Sequence, residues 1–239
     1  MNNYSSGTSR SSSAGHSDAR NGARKLPVLL FDVMDTIVRD PFYEDIPAFF
    51  DMPMWSLHFL FKDMSLKELM ECKHPTAWSE FEKGLINEGE LARKFFKDRR
   101  PFDLKGLKLC MERGYFYVDG VERLLHALKQ NNYEIHAFTN YPVWYELIEN
   151  KLKLSAYLSW TFCSCITGKL KPEPDFYAEV LQHLDVAPAS CFFVDDRMKN
   201  VEAARDAGMV GIHFKNAELL CQDLFLLELD FSFNEMEKI

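Results

Sequence analysis

The chain has 239 residues, 47% of them hydrophobic and 14% aromatic, enough for one or two domains around a sizeable core and too apolar for wholesale disorder. A formal net charge of -8 argues against the clustered Lys and Arg that non-specific nucleic-acid binding needs. No uninterrupted apolar stretch reaches the roughly 18 residues of a membrane-spanning helix, so neither nucleic acid nor membrane is expected as a partner.

Residues 1–25 stand apart. Seven serines and three glycines accompany four basic residues (Arg10, Arg20, Arg24, Lys25) and the single acid Asp18. With Met1 and Tyr4 as the only large apolar residues, nothing there offsets the entropy of ordering. The segment reads as disordered. Being rich in Ser and Arg and poor in acids, it also suits an organelle transit segment, with an ordinary flexible tail as the plainer reading. The remainder carries 24 basic and 35 acidic residues.

Val28–Phe31 is a continuous apolar run, as expected for a strand buried on both faces of a parallel sheet, and it ends in Asp32-Val-Met-Asp-Thr36. Some 80 residues follow without regular alternation. Helix-like segments at about 45–51, 64–72, 76–83, 88–97 and 103–113 are separated by Pro and Gly signals. A connection of that length implies a folded insert. Tyr43, Phe49, Phe50 and Trp55 near its start suit either core packing or stacking on a planar ring.

From Asp119 the texture becomes regular. Val121, Leu124, Leu125 and Leu128 mark one face of a helix closed by Asn131-Asn132. Tyr133–Phe138 reads as a strand ending at Thr139-Asn140. A helix follows Pro142, a short strand lies around Trp160–Cys165, and a helix spans about 175–184. Cys191–Val194 is a strand ending at Asp195-Asp196. A helix over 201–207 stops at Gly208, and Val210–Phe214 is the last strand. Strands and helices alternating in this way predict a doubly wound parallel sheet of the Rossmann-like kind. The boundaries that follow are a core of 26–40 and 117–216, a helical insert of 41–116, and a helical tail of 217–239.

The six cysteines (Cys72, Cys110, Cys163, Cys165, Cys191 and Cys221) include no CxxC pair, which argues for reduced thiols over a disulfide framework or a zinc site. His126, His136, His183 and His213 show no ligand spacing and read as packing or surface.

Three strands therefore end in polar residues, and ligands of open α/β sheets bind at the carboxyl ends of the strands. Asp32, Asp35, Asp195 and Asp196 would converge there with Thr139. Carboxylates so close repel one another, and a divalent cation with hard oxygen ligands relieves the repulsion. Lys171, in Gly168-Lys-Leu-Lys-Pro-Glu-Pro174, adds an ammonium to the same edge. A nucleophilic carboxylate, Mg2+, a hydroxyl and an ammonium suit a phosphoryl group, with Asp32 attacking in line to give an aspartyl-phosphate.

These residues resemble the four motifs of the haloacid dehalogenase-like (HAD) hydrolases. Asp32-Val-Met-Asp-Thr36 is similar to the first, Phe138-Thr-Asn140 to the second, Lys171-Pro-Glu-Pro174 to the third, and Val194-Asp-Asp-Arg-Met-Lys-Asn200 to the fourth, in order, within about residues 26–215. The resemblance implies Asp32 as nucleophile and Thr139 as hydroxyl donor to the phosphoryl, with Asn140 and Lys171 joining Thr139 in binding the substrate. It implies Lys171 as the cation steadying both. Mg2+ would be held by Asp32, the Met34 backbone carbonyl and Asp196, with Asp195 as a further ligand or a support behind it, and Asn200 would orient the loop. The insert looks like a type C1 helical cap, which closes over the site and excludes water.

One position departs from the family. Its phosphatases carry a general acid two residues after the nucleophile, where this chain has Met34; Asp35 is either a substitute acid or a solvated turn residue. The expected activity is that of a magnesium-dependent phosphatase acting on a small phosphorylated metabolite. Whole-sequence resemblance points to the chloroplast members of the family that convert flavin mononucleotide to riboflavin and phosphate. The alternatives are a nucleotidase or sugar phosphatase, a dehalogenase, or a non-catalytic protein that binds a phosphometabolite.

Overall fold

The structure is a computed structural model that describes residues 26–51 and 66–233. Residues 1–25, Trp55 and the last six residues lie outside the described part. The core is one parallel sheet of five strands, β1 (Val28–Phe31), β2 (Glu134–Thr139), β3 (Ser159–Cys163), β4 (Cys191–Asp195) and β5 (Val210–His213), in the order β3-β2-β1-β4-β5. The expected doubly wound architecture is present. The chain leaves β1 in one direction through β2 and β3, then returns to lay β4 on its other side. A crevice opens beside β1 at the carboxyl ends, where the winding reverses.

Eleven helices are described. Five lie between β1 and the first crossover: α1 (Asp45–Asp51), α2 (Leu66–Cys72), α3 (Ala77–Glu82), α4 (Glu88–Lys94) and α5 (Leu104–Gly114). The others are α6 (Val121–Gln130), α7 (Tyr145–Leu152), the single turn α8 (Ser164–Thr167), α9 (Pro174–Leu184), α10 (Met198–Asp206) and α11 (Ala217–Leu226). None of the described helices is long and apolar enough to cross a membrane.

Burial explains the unbroken apolar strands. Leu29 and Phe31 face a large core shared with Leu124, Leu125 and Leu128 of α6. Leu30 faces a second core with Phe138, Phe176, Tyr177 and Phe193 on the opposite side of the sheet. A strand covered on both faces favours apolar residues until it ends; the buried His136 within β2 is accommodated by hydrogen bonds to Thr161 (2.7 Å) and Glu134 (2.9 Å). The larger core continues into the inserted helices through Phe50, Phe81, Leu91, Phe95 and Phe96. There Phe50 packs against Phe95, Phe96 and Phe102.

Several element ends differ from the sequence reading, each for a local hydrogen-bonding reason. The third strand stops at Cys163, because the buried Ser164 hydroxyl accepts from the Tyr141 N–H (2.9 Å) and donates to the Glu82 carbonyl (2.6 Å), drawing the chain into α8. The helix expected from Val201 begins at Met198. Before Val201 its first turn offers a single apolar residue, Met198, too little to mark a helical period, but the Asp195 carboxylate accepts the Arg197 N–H at 2.8 Å and starts it. The segment read as helix over 88–97 ends at Lys94, and Lys97 N–H instead donates to the Cys72 carbonyl (2.9 Å). Phe214 lies past the end of β5, although its N–H still reaches the Asp195 carbonyl at 2.9 Å.

Candidate active site

The strand ends deliver the expected residues to one place. Asp32 follows β1 directly, and its N–H donates to the Val194 carbonyl at 2.8 Å, so the parallel register runs one residue past the strand. Thr139 ends β2 and Asp195 ends β4, both fully buried, while Asp32 and Lys171 are 7% and 5% exposed. The Lys171 ammonium donates to Asp32 Oδ1 (2.8 Å), Asp195 Oδ2 (2.6 Å) and the Phe138 carbonyl (2.6 Å). All three of its protons are used.

The two neighbouring aspartates differ in environment. Asp195 accepts from the Arg197 N–H, from Lys171 and, with both oxygens at 3.0 Å, from Asn200 Nδ2. Among the described residues, Asp196 Oδ1 is buried without a hydrogen-bond partner, and so is the Thr139 hydroxyl. The backbone carbonyl of Asp196 is held by His213 Nε2 at 2.8 Å, so this histidine supports the loop. Asn140 lines the cavity, yet its carboxamide is engaged with the Lys171 backbone in both directions, Lys171 N–H to Oδ1 and Nδ2–H to the Lys171 carbonyl, each at 2.8 Å. Its geometry is that of a residue holding Lys171 in place.

Oxygens of Asp32, Asp195 and Asp196 lie within 4.8 Å of one another. Three carboxylates facing one ammonium leave an excess of two negative charges. Burial, and then the charges of Asp32 and Asp195, push the Asp196 carboxyl up to about 7. Burial likewise raises Asp32; the Lys171 charge opposes this and Asp195 adds to it. For Lys171 burial acts downward, but Asp195 and Asp32 outweigh it and hold the ammonium above its ordinary value. The Met34 carbonyl accepts no hydrogen bond from a described residue. Hard oxygen donors, a two-charge deficit and an orphaned buried carboxylate oxygen fit a divalent cation of the Mg2+ kind.

Asp35 adopts a left-handed conformation (φ 55°), which Asp tolerates better than most residues. Its carboxylate accepts the Asp40 N–H at 2.9 Å. It is therefore a turn residue that fixes the following loop. Among the aromatics singled out in the insert, Tyr43 lines the cavity, Phe50 is core, and Phe49 packs against the core.

The cavity over Asp32 has a volume of about 270 Å3. Its walls bring together groups that local sequence did not single out: Asp40, Trp78, Glu82 and Arg197. Burial raises the Glu82 carboxyl to about 7 although Trp78 Nε1 donates to it at 2.8 Å. Burial raises Asp40 to about 6, opposed by the Phe42 N–H and assisted by the charge of Asp35. The Arg197 guanidinium has no hydrogen-bond or ion-pair partner among the described residues, although its backbone N–H is held by Asp195. Only Arg197 lies inside a motif. Asp40 and Glu82 carry no periodicity or spacing that marks them.

Residues 28–208 match the family model described as haloacid dehalogenase-like hydrolase. The chain is 61% identical over 209 residues to Flavin mononucleotide hydrolase 1 of Arabidopsis thaliana, a chloroplast protein by its name, covering 87% of this chain and 80% of that one. It is 29% identical over 168 residues to a sesquiterpene phosphatase of Aspergillus oryzae, covering 67% and 84%. In fold it is similar to a HAD family enzyme of Bacteroides thetaiotaomicron solved with magnesium and inorganic phosphate, at a TM-score of 0.63, 17% identity and coverage of 81% and 96%. A crevice at the reversal of a parallel sheet, with Asp32, Thr139, Lys171 and Asp195-Asp196 in chain order at or beside its strand ends, and a family model that runs from β1 through α10 lead to one conclusion: the chain belongs to the haloacid dehalogenase-like hydrolases.

Proposed function

We propose that the protein is a magnesium-dependent phosphatase that hydrolyses flavin mononucleotide to riboflavin and phosphate. The observation that carries the substrate is the 61% identity, across most of both chains, to a flavin mononucleotide hydrolase. The cavity supports it, since Phe42, Tyr43 and Trp78 offer aromatic surface to a planar ring beside the cluster at Asp32. That relative's name, together with the Ser- and Arg-rich residues 1–25, supports a chloroplast location.

In this reading Asp32 attacks the phosphorus in line. The bond from phosphorus to the ester oxygen breaks, and its electron pair leaves on that oxygen. Lys171 keeps Asp32 aimed and neutralises charge on the phosphoryl oxygens, and the unpartnered Thr139 hydroxyl donates to one of them. Mg2+, held by Asp32, Asp196 and the Met34 carbonyl, would neutralise further charge on the phosphoryl when bound. Asp195, already saturated with donors, orients Lys171 and the loop before α10. Water then cleaves the aspartyl-phosphate and regenerates Asp32.

Phosphate release from flavin mononucleotide, nucleoside monophosphates, sugar phosphates and a prenyl phosphate, each with and without Mg2+, tests the reading. A preference for flavin mononucleotide that requires Mg2+ and disappears in Asp32→Asn is the expected result. Preference for another ester overturns the substrate, and hydrolysis surviving in Asp32→Asn overturns the nucleophile.

A further inference from the structure

Met34 leaves the leaving-group oxygen without the acid expected two residues after the nucleophile. Departure of an alkoxide without a proton is slow, and a positioned general acid contributes about 10²–10⁴-fold. A carboxyl elsewhere in the cavity can fill this role only if it is held rigidly, belongs to the same chamber as Asp32 and is not already committed to a cation.

Asp40 meets these conditions. It lines the same cavity as Asp32, Met34 and Lys171. Its own N–H is fixed by the Asp35 carboxylate at 2.9 Å, and its Oδ1 accepts the Phe42 N–H at 2.9 Å, which sets the side-chain direction. The flanking Arg39 N–H donates to the Phe116 carbonyl (2.9 Å) and its guanidinium pairs with Glu44 and Asp45 at 2.6 Å, anchoring the loop on both sides. No ion pair holds the Asp40 carboxyl among the described residues. Burial is the largest influence on it, favouring the protonated form; the charges of Asp35 and Asp32 act the same way, Arg197 opposes them, and the Glu82 carboxyl shares the cavity.

Glu82 is the competing carboxyl. It lines the same cavity from α3, where Trp78 Nε1 donates to it at 2.8 Å, and the charges of Arg197, Lys73 and Asp40 act on it. Asp40 differs in belonging to the loop that leaves the nucleophile's own strand, where the Asp35 carboxylate and the Phe42 N–H fix it.

We infer that Asp40 is the general acid and base of this enzyme, replacing the carboxyl that Met34 lacks. The inference rests on the phosphomonoesterase reading, though not on flavin mononucleotide as the substrate. In the first half-reaction Asp32 forms its bond to phosphorus and the bond from phosphorus to the ester oxygen breaks. The electron pair goes to that oxygen, which takes the Asp40 proton and departs as the alcohol. In the second, water attacks the aspartyl-phosphate and gives a proton to the Asp40 carboxylate. The bond from phosphorus to Asp32 breaks with its electron pair returning to Asp32. Both carboxyl groups end as they began. Asp35, whose carboxylate accepts the Asp40 N–H at 2.9 Å, becomes the residue that positions Asp40.

The test uses leaving groups that do and do not need a proton. For the full-length enzyme with Mg2+, kcat/KM is measured on alkyl phosphates (flavin mononucleotide and glycerol phosphate) and on 2,4-dinitrophenyl phosphate, whose phenolate departs unassisted. Asp40→Asn is expected to lower kcat/KM about 10²–10³-fold on the alkyl esters and less than about threefold on the dinitrophenyl ester. Asp35→Ala, which loosens Asp40 without removing it, is expected to show a smaller loss with the same selectivity. An equal loss on both ester classes, or no loss on either, overturns the inference. So does the selective loss appearing in Glu82→Gln instead. If the unaltered protein releases phosphate from none of these esters, the phosphatase reading itself fails, an outcome distinct from all of these.

Discussion

Replacing Lys171 with Met removes one ammonium that donates to Asp32, Asp195 and the Phe138 carbonyl at 2.8, 2.6 and 2.6 Å. Methionine has similar length, so the loss is one of charge and hydrogen bonds more than volume. Two buried carboxylates and a carbonyl are left facing one another, and breaking a buried ion pair by removing one partner costs about 3–5 kcal/mol. At this chain length each kcal/mol moves the melting temperature by about 2–4 °C, so a fall of about 6–20 °C is expected. Thermal melts in EDTA, which keeps metal from replacing the lost cation, read the effect. The cause is isolated by a cycle with Asp195→Asn, which keeps the shape and removes one of the stranded charges. The double variant should be more stable than the sum of the single losses by roughly 1–3 kcal/mol. Additivity within about 0.5 kcal/mol, or a loss below about 1 kcal/mol in Lys171→Met, would refute the claim that Lys171 holds this cluster together by charge.

Asp196→Asn should raise the Mg2+ concentration for half-maximal activity by more than tenfold. The melting temperature in EDTA should hold or rise, because one of three mutually repelling carboxylates is gone. An unchanged Mg2+ titration would remove Asp196 from the ligand set. Glu82, raised by burial from an ordinary 4.5 to about 7, holds a proton in the folded state that the unfolded chain releases. Its stabilising contribution is complete below pH 4.5 and is lost as pH rises through 7. The full shift corresponds to at most about 3 kcal/mol, reduced by solvent at a half-buried carboxyl. Urea unfolding of Glu82→Gln from pH 5 to 8 should show a flatter profile and a gain of about 1–2 kcal/mol at pH 8. An unaltered slope would place Glu82 in water, and a residual slope between about pH 6 and 7 is assigned to Asp40 and Asp196.

How much was legible depended on range. An apolar run that ends in Asp32, or in Asp195-Asp196, is a local pattern, because a strand buried on both faces favours apolar residues until the sheet stops. The strand tips, the parallel sheet and the set Asp32, Thr139, Lys171 and Asp196 therefore followed from residues a few positions apart. The differing situations of Asp195 and Asp196 did not, since adjacent aspartates look alike until Lys171, Asn200 and the Arg197 N–H are placed around one of them. Nor did the use of the Asn140 carboxamide on Lys171, 31 residues away.

The chain's own order of residues determined that carboxylates, a hydroxyl and an ammonium would meet at the reversal of a parallel sheet, and the net charge of -8 signified little until its few buried members were located. Tertiary structure alone decided their division of labour. Lys171 reaches Asp32 across 139 residues of sequence, and Asp40, Glu82 and Arg197 share a cavity that no spacing announces. Strand period and burial act between near neighbours, whereas desolvation and ion pairing depend on which distant groups the fold seals together. That sealing determines which carboxyl holds a proton and which remains free to hold a metal.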